Sequence, residues 1–141
     1  MPLPTDTQTA PLPAKMVWTG RIISALAVLF MLFDGVIKLI KIAPVVESFA
    51  QLGFPDSLAR GIGILELVCL AVYVIPRTSI LGAILLTGYL GGAVASKVRI
   101  DDPLFSQVLF PIYVGLLVWA GLFLREDRLH ALMPLRSQPA R

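Results

Sequence analysis

The chain has 141 residues, of which 57% are hydrophobic and 15% are charged, and its mean hydropathy is +0.83. Ordinary soluble domains have about 25% charged residues and leave roughly 30% of their unfolded surface exposed, which so few polar groups would not cover. Composition therefore argues against a soluble enzyme, a disordered chain, a disulfide scaffold and a nucleic-acid-binding module. The net charge of +3 does not change this, because the Lys and Arg residues lie scattered at segment ends, without a basic run or stripe.

Hydropathy predicts an all-α fold, a four-helix transmembrane bundle with a short interfacial helix between spans one and two. Residues 1–15, with four prolines, are expected to be a disordered tail. Residues 16–130 are the predicted membrane domain, with spans at about 17–40, 58–75, 78–98 and 105–124, and residues 131–141 are the predicted C-terminal cytoplasmic tail. Spans three and four contain charge-free segments long enough to cross about 30 Å of hydrocarbon, whereas charged residues interrupt spans one and two. The first span is expected to stay attached as an anchor.

The segment between spans one and two favours a helix at the membrane surface. Pro44 suits the first turn of a helix, Val45 and Phe49 fall on one face, and Gly53 suits its end. A packed loop is the alternative.

Four spans place both termini on one side of the membrane. The terminal side then has seven basic residues, Lys15, Arg21, Arg77, Arg125, Arg128, Arg136 and Arg141. The other side has five, Lys38, Lys41, Arg60, Lys97 and Arg99. This small excess predicts cytoplasmic termini under the positive-inside rule.

Strongly polar residues of the spans are predicted to gather in the half of the bundle away from the termini. Burying an ionisable group in a membrane costs roughly 2.5–3.5 kcal/mol, so Asp34 and Glu66 are expected to face the interior. Asp34 and Lys38 are four residues apart and share a helix face. For Glu66 the candidate partners are Lys38, Lys97 and Arg99; alternatively its carboxyl is protonated. The cluster is either a structural staple, a pocket for a headgroup, quinone or small solute, or a proton relay.

Span three also contains a stripe of small residues, Gly88, Gly92 and Ser96, which is typical of close helix packing. A groove facing a ligand is the alternative, and Tyr89 in the same turn is placed to hydrogen-bond toward Glu66. No catalytic residue is predicted. No metal site is predicted either, since the chain has one cysteine, Cys69, and one histidine, His130.

Several segments resemble the DoxX-like family of small four-helix membrane proteins. The similar segments are Phe33–Leu39, Gly63–Leu67, Ile75–Thr78 and Leu86–Ala93, followed by Ala95, Arg99 and Asp102-Pro103. The resemblance implies a bacterial-type inner-membrane protein, with Lys38, Glu66 and Arg99 at the family's polar positions. Relatives usually have histidine where Lys97 stands, so a role that needs a neutral imidazole does not carry over.

The sequence and the resemblance together predict an accessory or small-ligand-binding membrane subunit linked to quinone or redox chemistry, rather than an enzyme by itself. The candidate ligand-binding residues are Asp34, Lys38, Glu66, Tyr89, Lys97 and Arg99. No covalent cofactor is expected, and a quinone is the candidate ligand. Expected partners are the lipid bilayer and a membrane redox protein or a second copy of the chain, without nucleic acid. The alternatives are a solute or proton pathway and an assembly factor that has no ligand.

Overall fold

A computed structural model describes residues 12–132. Of these residues 84% are helical and none is in a strand, so the described chain is all-α. The helices are α1 (Ala14–Ile40), α2 (Ala43–Leu52), α3 (Leu58–Val74), α4 (Ser79–Arg99), α5 (Phe110–Arg125) and α6 (Asp127–Leu132). The predicted tails, residues 1–15 and 131–141, lie mostly outside the described residues.

Helix ends follow local backbone chemistry. Helix α1 stops at Lys41, which has a left-handed backbone at φ 58°. Helix α2 has Pro44 in its first turn, where the missing N–H breaks no helical hydrogen bond. It ends at Gly53, whose φ of 75° suits a residue without a β-carbon. Residues 43–52, predicted as a helix or a packed loop, are thus helical.

The start of the last long helix differs from the prediction of one continuous span at 105–124. A separate π-helical segment, Leu104–Val108, precedes α5. Pro111 lies at the start of α5 and has no N–H to bond the carbonyl of Gln107, which interrupts the regular ladder there. The amide of Leu109 instead bonds the carbonyl of Leu104, a wider i to i−5 turn.

The four longest helices form an antiparallel ring, in which α1 packs against α3 and α5, and α4 packs against the same two. One end of the ring, the α2 end, has α2 and the π-helical segment. The other, the α6 end, has the 75–78 turn and α6. At this end Arg128 donates to the carbonyl of Pro76 (2.7 Å) and pairs with Glu126 (2.8 Å). The hydrogen bond that the Arg128 guanidinium donates to the Glu126 carboxylate lowers the pKa of Glu126.

The core of the ring is apolar and closely packed. Its fully buried residues include Met31, Tyr73, Leu86 and Val118. A smaller cluster under α2 joins Val45, Phe49 and Ala59. These clusters leave large apolar side chains on the outside of the ring, as expected for a surface that lipid covers.

Three helical segments in the described chain are long and apolar enough to cross a membrane, Ala14–Ile40, Ser79–Arg99 and Leu104–Arg125. The first and third correspond to predicted spans one and four, and the second to span three. Helix α3, the predicted second span, has 17 residues and is shorter than the other three segments.

Candidate functional site

Glu66 is the buried centre of the predicted polar cluster. Its side chain is 1% exposed, although it is a carboxylic acid in the middle of an apolar helix. Two groups donate hydrogen bonds to its Oε2 atom, the ammonium of Lys38 at 2.7 Å and the hydroxyl of Tyr89 at 2.8 Å. The cluster therefore joins α1, α3 and α4 through three side chains.

Lys38 connects the members of this cluster. Its ammonium pairs with Asp34 one turn earlier on α1, with Glu66 on α3, and donates to the hydroxyl of Tyr89 at 2.7 Å. A side chain with one ammonium thus faces two carboxyl groups and one phenol. The expectation that acids and bases on separate helices meet near the α2 end is observed for these residues.

Small residues allow the close approach that this cluster needs. A β-carbon on Gly63 would lie 2.9 Å from the carbonyl oxygen of Gly35 and 2.9 Å from the β-carbon of Lys38. Such contacts leave no room for a larger side chain, so α1 and α3 touch backbone to backbone beside Lys38. Glu66 lies three residues after Gly63, which brings its carboxyl within reach of the ammonium.

Lys97 and Arg99, the other predicted partners of Glu66, make different contacts. Lys97 pairs with Asp102 at 3.1 Å. Arg99 donates to the carbonyl of Leu52 and lies over the ring of Phe54, 5.6 Å from its centre. Arg99 therefore connects α4 to α2, and both cations lie about 12 Å or more nearer the helix end than Tyr89, since eight residues of helix separate Tyr89 from Lys97.

A cavity of about 570 Å³, open to the outside of the ring, adjoins the cluster. Its polar lining residues are Asp34, Lys38, Ser48, Glu66, Tyr89, Ser96 and Lys97. Most of the remaining wall is apolar, including Phe30, Met31, Phe49, Leu65, Phe110 and Val114. Of the candidate residues in the sequence, Arg99 is outside this lining. An apolar chamber with a few convergent polar groups is the usual form of a small-molecule site.

The small-residue stripe of α4 borders this cavity instead of packing against a helix of the same chain. A β-carbon on Gly88 or on Gly92 would meet no atom within 4 Å among the described residues. Both glycines and Ser96 line the cavity. Close helix packing, the preferred prediction, is not observed among residues 12–132, because the stripe faces the open space between α4 and its neighbours.

A second buried polar group, which sequence reasoning missed, lies toward the α6 end. The Tyr73 hydroxyl donates to the carbonyl of Val118 at 2.8 Å and lies 3.0 Å from the hydroxyl of Ser24. Arg125 donates to the same Ser24 oxygen at 3.0 Å. The available signal was spacing, since Tyr73 follows Glu66 by seven residues and shares its helix face.

A family model supplies the classification. The model of the DoxX-like family matches residues 22–121, a segment that includes the whole polar cluster. The chain belongs to the DoxX-like family. Family and apolar helices together make this DoxX-like protein an integral membrane protein. Comparison with curated proteins and comparison with solved structures each give no match.

Proposed function

We propose that the DoxX-like protein crosses a bacterial-type inner membrane four times, with α3 as the fourth crossing and with both termini in the cytoplasm. Helix α3 packs between α1 and α4, which are both long enough to span. Its 17 residues are at the lower end of the range of about 17–25 for a transmembrane helix. Helix α2, with Val45 and Phe49 buried and Glu47 exposed, lies at the interface.

We further propose that the protein binds a small lipophilic ligand with a polar head, as an accessory subunit of membrane redox chemistry. The observation that carries this proposal is the position of the Lys38–Glu66–Tyr89 cluster at the wall of an open, mostly apolar cavity. The tail of such a ligand would contact Phe30, Leu65 and Phe110. A quinone and a membrane lipid both have a polar head and an apolar tail. The associated protein would be a redox partner or a second copy of the chain.

A continuous path for protons or solutes is less well supported. Between Glu66 and Tyr73 on α3 lies the buried Leu70, and between Ser24 and Asp34 on α1 lie the buried Ala27 and Met31. This apolar layer separates the Glu66 cluster from the hydrogen-bonded pair of Ser24 and Tyr73.

The proposed binding is tested by filling the cavity. We expect Gly88→Leu to fold, because a side chain there meets open space and leucine favours helix over glycine. It should weaken ligand binding about tenfold or more, equivalent to about 1.4 kcal/mol. The measurement is mass spectrometry of lipids and quinones that co-purify in mild detergent, followed by titration of the ligand found.

The matched control is Gly91→Leu, on the same helix. A β-carbon on Gly91 would likewise meet no atom within 4 Å among residues 12–132, but Gly91 borders a separate groove with Trp119. Its substitution should leave binding unchanged. Equal binding by the wild type and Gly88→Leu would contradict a ligand in this cavity.

A further inference from the structure

We infer that the ligand of this cavity has a polar head that donates hydrogen bonds, rather than a head that only accepts them. This inference rests on the proposed binding function and names the chemical class of ligand. It comes from the hydrogen-bonding capacity that remains at the inner polar wall of the cavity, formed by Asp34, Lys38, Glu66 and Tyr89, once the contacts within the protein are made.

The donors of this inner wall, the Lys38 ammonium and the Tyr89 hydroxyl, are already used. An ammonium has three N–H groups, and those of Lys38 go to Asp34, Glu66 and Tyr89. The single O–H of Tyr89 donates to Glu66. A ligand carbonyl that reached this wall would have to displace one of these contacts, which costs the protein a hydrogen bond between charged or buried groups.

Acceptors, in contrast, remain available. Both hydrogen bonds that Glu66 accepts end on Oε2, and the bond that Asp34 accepts ends on Oδ2. A carboxylate offers about four acceptor positions over its two oxygens. Glu66 Oε1 and Asp34 Oδ1 therefore remain for a donor from the cavity.

The ratio of carboxyl groups to cations leads to the same conclusion. Two carboxyl groups, those of Asp34 and Glu66, meet the single ammonium of Lys38. Lys97 is paired with Asp102 and lies about 12 Å farther along α4. A head that donates hydrogen bonds satisfies the remaining carboxyl oxygens, whereas a carbonyl or ether oxygen adds one more acceptor beside them.

The test compares ligands that differ only in the head. The probes are a decyl-substituted benzoquinone, its hydroquinone, the dimethyl ether of that hydroquinone, and decylamine, each titrated against the full chain in lipid nanodiscs. We expect the hydroquinone or the amine to bind at least about tenfold more tightly than the quinone and the dimethyl ether. If the hydroquinone binds more tightly than decylamine, the preferred head is phenolic; if decylamine binds more tightly, the preferred head is an ammonium.

Glu66→Gln provides the specificity test. The amide keeps an oxygen for Lys38 and Tyr89 and places an NH₂ donor where Oε1 stood, so the preference should shift toward the quinone. Asp34→Asn makes the equivalent change on a less buried residue, should the first variant fold poorly. Glu47→Gln, on an exposed residue of α2, should change nothing.

The outcomes separate the two proposals. Tighter binding of the quinone or the dimethyl ether, blocked by Gly88→Leu, would overturn the inference and leave the binding function intact. The same ranking in the wild type and both amide variants would also overturn it. If no probe and no co-purified compound binds in a manner sensitive to Gly88→Leu, the proposed function fails and this inference fails with it.

Discussion

Lys38 holds together carboxyl groups that would otherwise stand unpaired inside the ring. It contacts Asp34, Glu66 and Tyr89, while its own side chain is only 14% exposed. Buried ion pairs contribute little net stability when formed, because desolvation offsets the attraction, but removing one partner is expensive. The importance of Lys38 for stability is therefore larger than the strength of any one of its bonds.

Lys38→Met should accordingly destabilise the protein by about 3–5 kcal/mol, the usual penalty for a buried charge left without its partner. Thermal unfolding in detergent, followed by circular dichroism, measures the change. The matched control is Lys41→Met on the pair with Asp56, at 3.4 Å, in which the Asp56 side chain is 59% exposed. That pair should be worth less than about 1 kcal/mol. Similar losses for the two variants would show that the buried cluster is not a stabilising unit.

The same residue shows why the partner of Glu66 could not be selected from sequence. Helical rise gives the depth of a residue along its span, which correctly grouped Asp34, Lys38 and Glu66 near the α2 end. Depth does not give rotation about the helix axis, and it left Lys97 and Arg99 as equal candidates. The choice depends on the Gly35–Gly63 approach of α1 and α3, which is a property of two helices and not of either alone.

At the scale of elements, glycine has opposite roles at different helix positions. A β-carbon on Gly82 of α4 would lie 2.2 Å from the backbone nitrogen of Tyr73 on α3. A β-carbon on Gly61 of α3 would meet no atom within 4 Å among the described residues. The first glycine is required by the α3–α4 crossing, and the second only loosens its helix.

The same substitution should therefore have opposite effects at the two positions. Gly82→Ala should destabilise by about 1–3 kcal/mol, because overpacking forces the two helices apart. Gly61→Ala should be neutral or stabilise by up to about 1 kcal/mol, from helix propensity alone. The measurement is the thermal unfolding midpoint of each variant, compared with that of the wild type in the same detergent. Destabilisation by Gly61→Ala as large as that by Gly82→Ala would contradict the observed crossing.

Element bounds were largely predictable, whereas the spaces between elements were not. Pro44 and Gly53 indicated both ends of α2, and the observed helix Ala43–Leu52 lies between them. The π-helical segment was not predicted, since Pro111 indicates only a loosened helix start and not the wider turn before it. Sequence left the cavity as one of several alternatives, because Gly88 and Gly92 have the same spacing whether their face is packed or open.

For the whole molecule, the number of membrane crossings depends on α3. Its N-terminal end follows α2, and its C-terminal end leads to the 75–78 turn, which Arg128 contacts through Pro76. Arg99 connects the end of α4 to the end of α2 through Leu52. The two ends of α3 thus lie at opposite ends of the ring, an arrangement that supports the proposed fourth crossing.

Single cysteines on either side of α3 test this arrangement. In a Cys69→Ala background, Glu47→Cys on α2 and Arg77→Cys in the turn both occupy exposed positions. With α3 as a crossing and the termini cytoplasmic, a membrane-impermeant maleimide added to intact cells should label the Glu47→Cys variant alone. The Arg77→Cys variant should react only after permeabilisation. Labelling of both from one side would mean that α3 does not cross, whereas the reverse pattern would keep the four crossings and invert the orientation of the protein.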